Sequence, residues 1–144
     1  MSHDLRFERV IDAAPEEVFD AFTRPDGQVT FYGTDDPGWI IESECDFRVG
    51  GVWTVAFGPS AGELYRHRYV FRVIERPRRL VLDMTETRLD GSSFEVEVEF
   101  TFEEHDGKTL MTMMQRGFPT AELRDEHLIG LPNAFQRLGS IMGS

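Results

Sequence analysis

The chain has 144 residues, long enough for one domain (1–144) with a sizeable core, and its formal charge is −11. So acidic a composition repels phosphate backbones, which weighs against nucleic acid and anionic membranes as partners. The lone cysteine, Cys45, excludes an internal disulfide and a cysteine-based metal cluster. The opening MSHDLRFERV has no secretion-signal pattern, so a cytoplasmic location is expected.

Leu5 to Asp12 reads as a first strand. A helix follows, with Pro15 near its start, Glu16 and Glu17 in its first turn, and Val18, Phe19 and Phe22 at helical spacing. Pro25-Asp26-Gly27 is expected to stop it. A second short helical segment from Gln28 to Tyr32 is then broken by GTDDPG, residues 33–38.

From Trp39 to Gln115 the period becomes two. ELYRHRYVFRVIE (63–75) sets Tyr65, His67, Tyr69, Phe71 and Val73 on one face and Arg66, Arg68, Val70 and Arg72 on the other. A Pro-bounded turn in RPRRLVLDMTE (76–86) leads into a further strand. In FEVEVEFTF, Phe94, Val96, Val98, Phe100 and Phe102 form a core face, and Glu95, Glu97 and Glu99 face water, relieved by arginines such as Arg66, Arg68 and Arg72. HDGK (105–108) carries an Asp-Gly hairpin signal.

After residue 120 the period is helical again, with Leu128, Leu131, Phe135, Leu138 and Met142 in one stripe. Pro132 cannot donate to residue 128, so a kink or restart is expected there. The order of elements indicates an α+β fold, with a curved antiparallel sheet wrapped on one helix.

Gly50-Gly51 raises the question of a phosphate loop. The strand-like VWTVAF that follows offers no helix N-terminus for a phosphate, and no Gly-Lys-Ser/Thr is present, so the pair reads as a turn between strands. No catalytic constellation is visible. The histidines, His3, His67, His105 and His127, form no HExxH or HxH pattern, so neither a metal nor another cofactor is expected. No GxSxG elbow occurs, and Cys45 has no base nearby in sequence.

DFRVGGVW, PRRLVL, EFTFEEHDGKTLMTM and the final His127, Gly130 and Leu138, together with RVIDAAPEEVFDAFT, resemble the family of activator of heat-shock-protein ATPase homologues. This family lies in the START-like (SRPBCC) superfamily. The resemblance implies the helix-grip fold of birch pollen allergen, with the sheet curved around the C-terminal helix and a cavity between them. Two departures concern that cavity. Gly130 is followed by Leu131 and Pro132 where the family usually has Trp, and His67 or a neighbour stands where members often have Gly.

The cavity candidates are Trp53, Tyr65, His67, Tyr69, Met84, Val98, Met111, Met113, Leu131 and Phe135. Inward tyrosines and a histidine can hydrogen-bond a ligand while their rings pack, and methionines adapt to apolar shapes. Internal satisfaction of those polar tips and ordinary core filling by the methionines explain the same residues. The expected function is binding of a small hydrophobic or aromatic molecule. The alternatives are a cyclase-, aromatase- or hydrolase-like enzyme anchored on His67, and a chaperone ATPase partner. Edge strands of such a sheet can also pair into a homodimer.

Overall fold

The computed structural model describes residues 3–32 and 39–142. The order is β1 (His3–Ile11), α1 (Pro15–Phe22), α2 (Pro25–Tyr32), β2 (Ile40–Cys45), β3 (Val52–Ser60), β4 (Glu63–Glu75), β5 (Arg79–Thr87), β6 (Ser93–His105), β7 (Lys108–Phe118) and α3 (Ala121–Ile141). The strands form one curved antiparallel sheet in the order β1-β7-β6-β5-β4-β3-β2. The helices pack over it in the expected α+β helix-grip arrangement. The GTDDPG break lies outside the described residues.

α1 begins with Pro at its first turn followed by Glu16 and Glu17, and buries Val18, Phe19, Ala21 and Phe22. Pro25-Asp26-Gly27, expected to end a helix, instead begins α2. Proline suits a first helical turn as well as it suits a stop, and Thr23 already closes α1 by donating Oγ1–H to the Phe19 carbonyl at 2.8 Å. Gly27 lets the two helices touch, since a Cβ there would lie 1.8 Å from the Ala21 carbonyl oxygen.

The glycine pair is a turn between β2 and β3. Gly50 has φ +82°, and its N–H donates to the Phe71 carbonyl at 2.8 Å, while Phe71 N–H returns to the Gly51 carbonyl at 3.0 Å. A Cβ on Gly51 would sit 2.0 Å from the Asp46 carbonyl oxygen. The turn is therefore pinned to β4.

Alternation on β4 holds from Tyr65 to Phe71 and then slips. Phe71 pairs with Leu82 but Val73 with Val81, so Arg72 is an extra residue. Ile74, rather than Val73, then packs on the core. The outer face of β6 is neutralised by Arg72, Arg79 and Arg116, which pair with Glu97 and Glu99. Arg66 and Arg68, expected in that role, lie on β4 opposite Thr87 and Thr85 of β5 and, among the described residues, form no ion pair with these glutamates.

α3 runs unbroken through Pro132, with Thr120 Oγ1 accepting from Leu123 N–H at its start. Its buried residues are Leu131, Ala134, Phe135 and Leu138; Leu128 is 37% exposed and lies off the stripe. Among the described residues no helix is long and apolar enough to cross a membrane.

Under the helices lies an aromatic core. Phe22 meets Phe31, Trp53, Phe100 and Phe102, and Trp53 stacks on Tyr69 with ring centroids 4.5 Å apart. Phe22→Ala removes the ring at this junction and is expected to cost about 3–5 kcal/mol in urea unfolding. Glu97→Gln on the half-exposed ladder is expected to cost less than about 1 kcal/mol in the same measurement.

Candidate functional site

A cavity of about 290 Å³ lies between α3, the end of α2 and the strands β3, β4, β5 and β7. Phe31, Phe57, Met113, Leu131 and Ala134 give it apolar walls, and Tyr32, Tyr65, His67, Tyr69, Glu86 and His127 give it a polar side.

All of these polar residues except Tyr65 join in one hydrogen-bonded chain. Glu86 follows Leu80, Leu82 and Met84 on the inward face of β5 and stands directly across from His67 of β4. Its side chain is 3% exposed. His67 Nε2 lies 2.6 Å and His127 Nε2 2.9 Å from the same Glu86 oxygen, Oε1. Arg88 donates to Oε2 at 2.7 Å and also holds Glu126 of α3, tying the end of β5 to the helix. The two imidazoles stack, with centroids 5.6 Å apart.

Beyond His67, its Nδ1 is 2.6 Å from the Tyr32 hydroxyl, which contacts the Tyr69 hydroxyl in turn. With His67 donating from Nε2 to the carboxylate, every partner is satisfied when Tyr32 donates to Nδ1 and Tyr69 donates to Tyr32. Beyond His127, its Nδ1 is 3.0 Å from Gln115 Oε1. Arg137 of α3 donates to the Thr30 and Phe31 carbonyls, holding the end of α2 against the helix.

Burial works against the charge on Glu86, but hydrogen bonds from His127 and His67 outweigh it and hold the carboxyl well below the usual carboxylate range. Burial pushes the His67 imidazole down, against the pull of Glu86. Burial also raises both tyrosines, Tyr32 well above its ordinary value with Tyr69 beside it adding to the effect. The site therefore holds an anionic carboxylate among neutral hydroxyls. The donor atoms of His67, Glu86 and His127 all lie within 4.8 Å of one another, the ligand set that sequence spacing gave no reason to expect.

Of the ten sequence candidates, Tyr65, His67, Tyr69, Met113 and Leu131 line the cavity. Trp53, Met84, Val98, Met111 and Phe135 do not; they are packed in the core. Tyr32, Glu86, Gln115 and His127 were missed. Alternation along Leu80, Leu82, Met84 and Glu86 points the carboxylate inward, and His127 lies one helical turn before Leu131.

The sequence model described as "Activator of Hsp90 ATPase homolog 1-like protein" matches residues 12–143. The chain belongs to this Activator of Hsp90 ATPase homolog 1-like family. Its START-like fold recurs in solved structures at low identity. Protein CV1439 from Chromobacterium violaceum is 20% identical with TM-score 0.81, covering 96% of each chain. An uncharacterized protein from Rhizobium leguminosarum is 18% identical with TM-score 0.83, covering 96% of this chain and 93% of its own. The AHSA1 protein SPO3351 from Silicibacter pomeroyi is 19% identical with TM-score 0.80, covering 98% of both. No curated protein matches the sequence. In this family member Leu131, which follows Gly130 where Trp is usual, forms part of the cavity wall.

The depressed His67 value gives a signed pH dependence. The unfolded chain takes up a proton near the ordinary histidine value of 6.5 and the folded chain only below it, so stability is lost as pH falls through that range. Glu86 has the same sign below the ordinary carboxylate value of 4.5. Melting temperature is expected to fall between about pH 7.5 and pH 5.5, with a shallower slope in His67→Gln; an unchanged slope would remove His67 as its source.

Proposed function

We propose that the protein binds a small, mostly apolar molecule, aromatic or cyclic, whose one polar end meets the tyrosine–histidine–glutamate chain. The observation that carries this reading is the division of the 290 Å³ cavity into apolar walls and a polar end. The apolar walls supply affinity through buried area. The hydroxyls of Tyr32 and Tyr69 and the histidines supply orientation, because an uncompensated polar group in such a site is costly.

Gly130 offers the cleanest test. It lines the cavity on α3, and a Cβ added there meets nothing within 4 Å. Gly130→Leu therefore starts its side chain into open space at the cavity lining, and loss of a helix-interior glycine favours folding by up to about 1 kcal/mol. A panel of aromatic and lipid-like compounds should contain members that raise the melting temperature of the wild type, with affinity at least about tenfold weaker in Gly130→Leu. Equal affinity in the two proteins, or no shift from any compound, would refute the reading.

A second reading, proton transfer to or from the bound molecule, is favoured by the Tyr32–His67–Glu86 chain, in which a carboxylate orients an imidazole whose other nitrogen meets a hydroxyl. It requires turnover that disappears in Glu86→Gln while binding persists.

A further inference from the structure

The contacts around His127 and His67 pose a problem of proton placement. His127 Nδ1 faces the carbonyl oxygen of Gln115 at 3.0 Å, so that nitrogen donates. Its other nitrogen then faces Glu86 Oε1 at 2.9 Å, with either a second ring proton or a cation needed on that line. His67 offers the mirror case, with Nε2 at 2.6 Å from the same carboxylate oxygen and Nδ1 against the Tyr32 hydroxyl, which can accept as readily as donate.

We propose that His67, Glu86 and His127 are the protein ligands of a divalent transition-metal ion, Zn²⁺ or a first-row neighbour of it, bound at the polar end of the cavity. Two imidazoles and one carboxylate are a donor set suited to such ions, and three protein ligands leave positions open to water or to a guest in the cavity. The donor atoms already lie within 4.8 Å of one another. A tetrahedral ion with bonds of about 2.0–2.1 Å needs its donors about 3.4 Å apart, so side-chain adjustments on the order of 1 Å complete the site.

The surroundings match what ligating groups require. With the ion bound each imidazole carries its proton on Nδ1 and has an acceptor for it, Gln115 Oε1 for His127 and, with the Tyr32 hydroxyl turned from donating to accepting, the Tyr32 oxygen for His67, which frees Nε2 for the ion. Glu86 keeps Oε2 engaged by Arg88 and presents Oε1. The ligands come from β4, β5 and α3, three elements fixed by the sheet register and by helix packing.

The experiment uses the full chain, stripped with a chelator and titrated with Zn²⁺ alone. One equivalent is expected to bind with micromolar or tighter affinity and to raise the melting temperature. Glu86→Gln and His127→Ala should each weaken binding at least about tenfold, and Gln115→Leu by about tenfold through its hold on His127. His3→Ala/His105→Ala should bind as the wild type does. Nitrogen NMR of the wild-type histidines needs no variant, and Zn²⁺ should shift the Nε2 signals of His67 and His127. Absence of stoichiometric binding, unchanged affinity in Glu86→Gln and His127→Ala, or shifts confined to His3 and His105 would overturn the proposal. No organic ligand is present in this assay, so its failure and a failed compound screen are separate results.

Discussion

A carboxylate buried to 3% exposure has to be paid for, and the way Glu86 is compensated organises the rest of the site. Its partners come from three directions: His67 from the neighbouring strand, His127 from α3, and Arg88 from just past the end of β5. Removing any one leaves a charged oxygen short of a donor in a poorly hydrated place. The helix is therefore positioned against the sheet by a polar contact as well as by Leu131, Phe135 and Leu138. At His127 the polar contact adds to ring packing on Phe94 and Phe118, while the adjacent Leu128 and Ile129 face outward at 37% and 78% exposure.

That arrangement also explains why the cavity persists beside the polar chain. The aromatic core around Phe22, Trp53 and Phe100 is filled by interlocking rings. Toward Glu86 the inward residues carry polar tips, and those tips are held at fixed lengths by their hydrogen bonds and cannot close on one another as aliphatic chains do. Met113 of the sheet and Leu131 of α3 complete the lining of the space that is left.

Much of the fold was legible from periodicity. The alternation of β6 and the Asp-Gly turn at 106–107 appear as read, with Asp106 and Gly107 both at positive φ; of the α3 stripe Leu131, Phe135 and Leu138 are buried, while Leu128 is not and the helix continues through Pro132. The site was legible in half. Alternation identifies the face on which a residue lies but carries no information about depth, so Tyr65, His67 and Tyr69 were placed with Met84, Val98 and Met111, which the helices cover completely. Glu86 could have been found by continuing the series from Leu80, and His127 by extending the α3 stripe one turn back. Tyr32 and Gln115 could not, since their roles depend on the packing of α2 and on strand pairing far apart in sequence.

The extra residue at Arg72 gives β4 two halves with separate allegiances. Before it, Tyr65, His67 and Tyr69 line the cavity, with Tyr69 also stacked on Trp53 of the core; after it, Ile74 packs on the core, and the slip in register keeps both groups inward. His67 and Ile74 stand seven residues apart, roughly 20 Å along an extended strand, so substitutions at one should combine additively with those at the other. Tyr65 lines the cavity and, among the described residues, makes no hydrogen bond to Glu86 or its histidines, so changes there can reshape the pocket while the second half goes on anchoring the sheet. One strand in this way carries an adjustable stretch of cavity wall between fixed neighbours.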